Sequence, residues 1–507
     1  MDFKQHYKIK LREWADSSLW EEELKRRGIL FEKKEYFPGY VIYKIENPGD
    51  EILQEFSQRK EISKFEVMHH YFLNFQTRVM EAQMPSYEKV SGNKKYPMVG
   101  VLDNGIANIE MMSSWVYRDE KQYCPERQHP THGSFVAGVI LYGDEFSDKK
   151  WIAGEKIKIY DAAIVPDFSL YQLEEDELLF RLRRAVEEHS WIKVWNLAIS
   201  LRFAVDLERI SEFGLLLDYL QEKYNIIICK SCGNGEFTRD KEERGSILQG
   251  SDTIRSLVVA SCNQEGEVSS FSLSGKGHKI LEKPDIAMYG GDVFWDPNGK
   301  RKVSGVYSFS PKGEIVSSFG TSFATARMTS LLGNILFWKE DASALFLKAM
   351  VVQTASHGEK YFLGYGCPKD TNGIKKEYEN SYVLEGTLLE EERITVGYKN
   401  GKIQCTLSSD VILDYHQEED YVLCDINLSF EKNGKKYEKK NIVNNYFNSF
   451  RRKNIFGEYE KLNNLKKYEI PMEEEEGEIE IIFSKRWKKE KDKKKDRGLS
   501  YCFILRK

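Results

Sequence analysis

The chain has 507 residues, room for about three domains at ~150 residues each. Lys and Arg number 75 against 80 Asp and Glu, a formal charge of −5, so charge gives no reason to expect nucleic acid as the main partner. Charged residues make up 31% and apolar residues 41%, with no run of ~18 apolar residues, so sizeable cores are expected and a transmembrane helix or membrane partner is not.

With Met1 as the native start, the opening stretch 1–7 has no apolar core of a secretory signal, and a cytoplasmic location is expected. Residues 1–88 read as a small α+β unit. Strand-like 7–11 is followed by a helical stretch at 19–27, strands at 29–31 and 40–45, a polar helix at 50–59 and a strand at 65–70. That order, β-α-β-β-α-β, is the ferredoxin-like pattern.

Across 89–384 the texture changes. Continuous apolar runs at 98–102, 157–165, 191–197, 226–229 and 256–261 predict strands. Between them Leu178, Leu179, Leu182, Ala185 and Val186 recur at helical spacing, as do Ile210, Phe213, Leu217 and Leu220. Fully apolar strands alternating with amphipathic helices predict an α/β unit with a mostly parallel sheet covered on both faces. The acidic run Glu174–Glu177 sits at a helix start, where acids favour the dipole and require no ion.

From 385 to 507 the helical period fades. Strand-like segments at 393–398, 403–407, 411–415, 421–430, 478–484 and 500–505, with Asn400-Gly401 and Asn433-Gly434 as turn signals, predict a β-sandwich. Residues 485–497 carry nine basic and three acidic residues and read as a solvated hairpin loop, a polyanion or partner patch being the sharper alternative. The eight cysteines are scattered, as suits reduced thiols. Cys229 and Cys232 form a C-x-x-C inside an apolar strand-like run, which favours packed thiols over a redox or zinc pair.

Three segments carry chemistry. Val99-Gly100-Val101-Leu102-Asp103-Asn104-Gly105 is an apolar strand ending in a carboxylate, and sites in parallel sheets form at such ends. His132-Gly133-Ser134-Phe135-Val136-Ala137-Gly138 opens a helix of small and apolar residues, while His129, before a proline, lies outside the helical pattern. Gly320-Thr321-Ser322-Phe323-Ala324 places Ser322 at a helix N-terminus, where a serine acts either as an ordinary cap or as a nucleophile. Each residue alone has a bland explanation: a loop Asp, a surface His, a capping Ser.

Their chain order, Asp then His then Ser, is that of the subtilisin triad. With these boxes, residues 95–384 resemble subtilisin-like serine peptidases (subtilases). Ser231-Cys232-Gly233-Asn234-Gly235 resembles the segment supplying the oxyanion-hole asparagine, and Asn196-Leu197-Ala198 the strand end beside the substrate cleft. The resemblance implies a serine endopeptidase acting on a protein or peptide. Ser322 would be the nucleophile, His132 the base, Asp103 its orienting partner and Asn234 an oxyanion donor. A catalytically idle subtilase fold serving as a scaffold is the alternative. A lipase or esterase is disfavoured by the absence of a Gly-x-Ser-x-Gly elbow at Ser322.

Two departures from the family pattern stand out. Ala326 occupies the place of the usual proline four residues after the nucleophile, which predicts a slightly different helix start. Ala198-Ile199-Ser200 replaces Ser-x-Gly, and a side chain at Ser200 is expected to narrow a pocket and restrict specificity. The family resemblance makes residues 1–88 propeptide-like, with removal and retention both open and a mature start near residue 90 expected if self-processing occurs. Subtilases often hold structural calcium, but no clustered carboxylate ligands mark a site here, and no cofactor is expected. A cytosolic subtilase with an added β domain resembles bacterial peptidases paired with a AAA+ ATPase in anti-phage defence, which implies a gated activity.

Overall fold

The computed structural model describes residues 5–71, 75–200, 203–238, 240, 243–276, 281–359, 361–417, 421–437 and 464–507. Its first unit follows the predicted order: β1 (His6–Leu11), α1 (Ser17–Arg26), β2 (Phe31–Phe37), β3 (Tyr40–Glu46), α2 (Asp50–Ser57) and β4 (Ile62–Val67). The strands form one antiparallel sheet in the order β2-β3-β1-β4. Trp20 and Leu24 of α1 and Phe56 of α2 fill its small core with Ile9, Tyr43 and Ile45. Two short strands follow, β5 (His70–Tyr71) and β6 (Arg78–Val79).

The second unit is built on β7 (Met98–Asp103), α3 (Glu110–Ser113), β8 (Val116–Tyr117), α4 (Thr131–Tyr142), β9 (Lys158–Ala163), β10 (Leu173–Glu174), α5 (Glu175–Glu188), β11 (Val194–Leu197), α6 (Glu212–Tyr224), β12 (Ile227–Ser231), β13 (Leu257–Cys262) and β14 (Ile286–Tyr289). Seven of these strands make a parallel sheet in the order β14-β13-β12-β11-β7-β9-β8. Side chains along each strand point to alternate faces, and here both faces are buried. Val99, Val101, Ile227 and Cys229 join the core under α4 and α7 (Thr321–Ile335). Leu102, Trp195, Leu197 and Ile228 join the core under α5 and α6. That two-sided burial is why the strands read as unbroken apolar runs.

The predicted helical faces hold: Leu178, Leu179, Leu182, Ala185 and Val186 of α5 are all fully buried. Small residues on α4 permit two close approaches. A Cβ on Gly133 would stand 2.2 Å from the Gly105 carbonyl oxygen, and one on Gly138 would stand 2.1 Å from Ser308 Oγ. The second approach is to a flanking antiparallel strand at Val306–Phe309, not to the main sheet. Helix α7 runs unbroken through the buried Ala326.

The C-terminal strands form two antiparallel sheets. One is ordered Ser381–Leu388, Leu499–Arg506, Lys402–Ser409, Leu465–Pro471. The other runs Glu392–Tyr398, Gly477–Trp487, Val422–Lys432, Ile412–Leu413. Cys405, Leu407, Ile426, Ile481 and Phe503 pack between them, giving the predicted sandwich. Both predicted Asn-Gly turns carry positive φ at each residue, 59° and 61° at Asn400 and Gly401, 52° and 73° at Asn433 and Gly434, as a tight hairpin requires. Among the described residues no helix is long and apolar enough to cross a membrane.

Candidate active site

Asp103 is the last residue of β7 and fully buried. Its carboxylate accepts a hydrogen bond from the Asn104 N–H at 2.8 Å and faces Nδ1 of His132 with both oxygens, at 2.9 and 2.8 Å. His132 is the second residue of α4 and only 3% exposed, so the imidazole is held by rigid backbone and by a buried carboxylate. Asn104 ties the two elements together: its Oδ1 accepts from the Gly133 N–H at 2.9 Å and its Nδ2 donates to the His129 carbonyl at 2.7 Å. The close approach of Gly133 to Gly105 explains the glycine after the histidine, because a side chain there would push α4 off the Asp103 loop. The His129 ring bonds the Thr131 hydroxyl on the surface.

Ser322 is the second residue of α7 and 8% exposed. Its hydroxyl donates to the Ala198 carbonyl at 3.2 Å, one residue beyond β11, and not to His132. Asn234 lies beside the same helix start. Its Oδ1 accepts from both the N–H and the hydroxyl of Thr321, each at 2.9 Å. That double anchor leaves Nδ2 free of those bonds, and a Cβ on Gly320 would lie 3.3 Å from it. The structure thus brings Asp103 and His132 into direct contact and places Asn234 against the start of α7 beside Ser322, while the ring of Phe323, next to Ser322, stands 6.1 Å from that of His132.

Three features escaped sequence reading. The first is Asp161 of β9, opposite Val101 of β7. Burial pushes its carboxyl up to about 6 against the pull of Arg118. Its Oδ2 accepts from the Ile106 N–H at 3.1 Å, fastening the loop that follows Asp103. Nothing in the sequence distinguishes it from any strand residue.

The second is the stretch after the first sheet. Phe75 stands edge-on to His132, ring centroids 5.0 Å apart, and also meets Phe135 and Phe323. Gln76 accepts from the Ser318 hydroxyl at 2.8 Å, and β6 pairs with a strand at Ile315–Ser318 that leads into α7. On the other flank, β5 pairs with β10.

The third is the purpose of the acidic run. Lys8 Nζ of β1 reaches Glu175 at 2.8 Å and Glu212 at 2.9 Å, and Lys64 of β4 reaches Glu212 at 2.9 Å. Lys44 of β3 bonds Asp176 and, more closely, Glu174. Glu175 and Glu212 open α5 and α6, so the first sheet is clamped over two helix N-termini by lysines. The signal was there in retrospect: lysines at alternate positions along predicted strands, on a face that otherwise has no partner.

Cys229 and Cys232 are buried free thiols, pushed up to about 12 and about 11 by burial, as packed cysteines are. Among the described residues no group of three or more His, Cys, Asp or Glu is arranged to hold a metal ion.

A parallel α/β sheet with a buried Asp–His pair at one strand end and a serine at a neighbouring helix start has the form of a serine-hydrolase scaffold. Residues 94–370, more than half of the chain, match the Peptidase_S8 subtilase family, and the protein belongs to that family, the subtilisin-like serine peptidases. Two solved structures of the serine protease that processes the epidermin leader peptide (EpiP) of Staphylococcus aureus share its fold at 14% identity and a TM-score of 0.50. A mutant of that protein covers 73% of this chain and 99% of its own, and the second structure 74% and 99%. No curated protein matches the sequence.

Proposed function

We propose that the protein hydrolyses peptide bonds through Ser322, His132 and Asp103. The observation that carries this reading is the doubly hydrogen-bonded Asp103–His132 pair, buried at the mouth of the parallel sheet and adjoining the start of α7. A serine hydroxyl is a weak nucleophile until a base takes its proton. Asp103 fixes the imidazole with Nδ1–H toward itself, leaving Nε2 to act as that base. Rotation of Ser322 about its Cα–Cβ bond redirects Oγ from the Ala198 carbonyl, and catalytic hydrogen bonds commonly tighten only once substrate is bound. The attack yields a tetrahedral intermediate. Its oxyanion is met by the Asn234 side-chain amide, already oriented by Thr321, and by the Ser322 N–H at the positive end of α7. His132 then protonates the leaving amine, and water hydrolyses the acyl-enzyme by the same relay in reverse.

The activity is gated. Phe75 against His132 supports this, since a peptide entering the site must displace that ring or the segment that carries it. The first sheet, docked on α5 and α6, plays the part of a propeptide domain within limits near 1–88, ahead of a catalytic domain at 89–384 and a β domain at 385–507. A new N-terminus in the wild type that is absent from Ser322→Ala marks self-processing; an intact chain in both marks retention. A cytoplasmic setting fits eight free cysteines, and a AAA+ ATPase partner in anti-phage defence is the context this reading favours. Co-purification of that ATPase from the native host supports it, and full activity of the isolated chain without one counts against it. Comparing cleaved peptides in the host between wild type and Ser322→Ala tests the peptidase reading itself. Identical peptide sets would favour a scaffold.

A further inference from the structure

Lys230, in β12, is fully buried. Among the described residues its ammonium bonds only neutral oxygens: Ser200 Oγ at 2.7 Å, the Ser231 carbonyl at 3.0 Å and Ser231 Oγ at 3.5 Å. The Asp252 carboxylate acts on it through space but does not bond it. The Asp252 carboxylate is taken up by Ser211 and by the Gly250 N–H. Burial pulls the amine down to about 7. A buried charge held only by neutral oxygens is costly, and a methionine would fill the same space without that cost. The lysine therefore calls for a use.

Its place suggests one. Leu197, the end of β11, lies opposite Lys230 in the parallel register. The next residue, Ala198, offers the carbonyl that Ser322 touches, and Ser200 lies two residues further on. On the other strand Ser231 follows Lys230 directly, with Asn234 three residues beyond. Ser251 closes a third side by donating its hydroxyl to the Ser231 carbonyl at 2.8 Å. The ammonium thus lies between two strand ends, flanked by the residue whose carbonyl Ser322 touches and by the segment leading to Asn234. Of the two serines it bonds, half-buried Ser200 is the more exposed.

We propose that Lys230, with the hydroxyls of Ser200 and Ser231, forms a cationic floor that selects an aspartate or glutamate side chain at the substrate residue preceding the cleaved bond. A substrate carboxylate reaching Ser200 and the ammonium supplies a bonded counter-charge and converts neutral hydrogen bonds into charge-assisted ones. Ser200, standing where a glycine is usual in the family, then acts as an adaptor that hands the substrate carboxylate to the ammonium. The inference rests on the peptidase reading above.

The test is the rate at which Ser322 is modified by two peptidyl diphenyl phosphonates. They are identical except that the residue bearing phosphorus carries a glutamate or a glutamine side chain. The full chain is used as wild type, Lys230→Met and Ser200→Ala, with labelling by a small fluorophosphonate alongside. In wild type the glutamate probe reacts about tenfold faster or more. The ratio falls to near one in Lys230→Met and is reduced in Ser200→Ala, which keeps the test sharp if the methionine variant fails to fold. Equal rates in wild type, a preference for glutamine, or reaction with neither peptidyl probe while the fluorophosphonate still labels Ser322 overturns the inference and leaves the peptidase reading standing. No labelling by any of the three in either wild type or Phe75→Ala overturns both.

Discussion

The ring of Phe75 meets the ring of His132 edge-on, with planes at 87° and centroids 5.0 Å apart. An apolar ring against the imidazole proposed as the base excludes water and blocks approach from that side. Replacing Phe75 by alanine removes the shield while leaving β6 and its pairing to Val316 and Ser317 in place. The variant is expected to react with a fluorophosphonate several-fold faster than wild type. Unchanged or slower labelling would mean that the ring does not guard the site.

Asn234 is held by Thr321 so that its amide nitrogen is the group left to meet the oxyanion of the proposed mechanism. Asn234→Ala is expected to lower kcat by ~10²–10³ with little change in KM, the signature of an interaction made chiefly in the transition state. Steady-state kinetics on any cleaved peptide measures this. A loss confined to KM would assign Asn234 to substrate binding instead.

Lys8 joins two helix starts to the first sheet from a fully buried position. Burial works against the Glu212 charge, but Lys64 and Lys8 outweigh it and hold that carboxyl well below its usual range. Lys8→Met leaves Glu175 buried without its ion pair, a change expected to cost ~3–5 kcal/mol. Denaturant unfolding should register it, and limited proteolysis should release residues 1–71 sooner than in wild type. An unchanged denaturation midpoint would mean that the lysine clamp adds nothing to docking.

His69 stacks on Phe203 with centroids 3.9 Å apart, and its carbonyl accepts from the Glu175 N–H. Burial, aided by the charge of Lys8, holds its imidazole down to about 4, against an ordinary value of about 6.5. When docked, His69 stays neutral over that interval; when released, it takes a proton. Docking of this stretch is therefore fully present above about pH 6.5 and weakens as pH falls toward 4. Hydrogen exchange at His70 and Tyr71, corrected for intrinsic rates, should speed up at pH 5 relative to pH 7.5, and His69→Phe should flatten the dependence. Equal protection at both pH values in wild type would contradict this.

Much of the architecture was legible because its signals are local. The glycine after His132 sits where the Gly105 backbone passes close by, the positive φ of Gly105 suits a glycine two residues after Asp103, and strands buried on both faces leave continuous apolar runs. What was hidden depends on partners far along the chain. The strand Leu465–Pro471 reads as polar, yet Lys466 is buried against Asp425 at 2.7 Å and Lys467 donates to the Ala355 carbonyl at 2.8 Å. Cysteine spacing hides partners in the same way: the C-x-x-C thiols pack as their apolar run implied, whereas Cys262 and Cys367, remote in sequence, stand 3.1 Å apart. The short strand Ile286–Tyr289 offers too few residues for periodicity to register. Phe75 is invisible as a site residue for a simpler reason: a phenylalanine outside any motif acquires meaning only from the imidazole it touches.

The most direct measurement is site-mapped labelling of the full chain by a fluorophosphonate. The account predicts a single adduct on Ser322, no adduct in Ser322→Ala and strongly slowed reaction in His132→Ala, because the hydroxyl then lacks its base. An adduct elsewhere in the chain, or none on Ser322 in either wild type or Phe75→Ala, would contradict it.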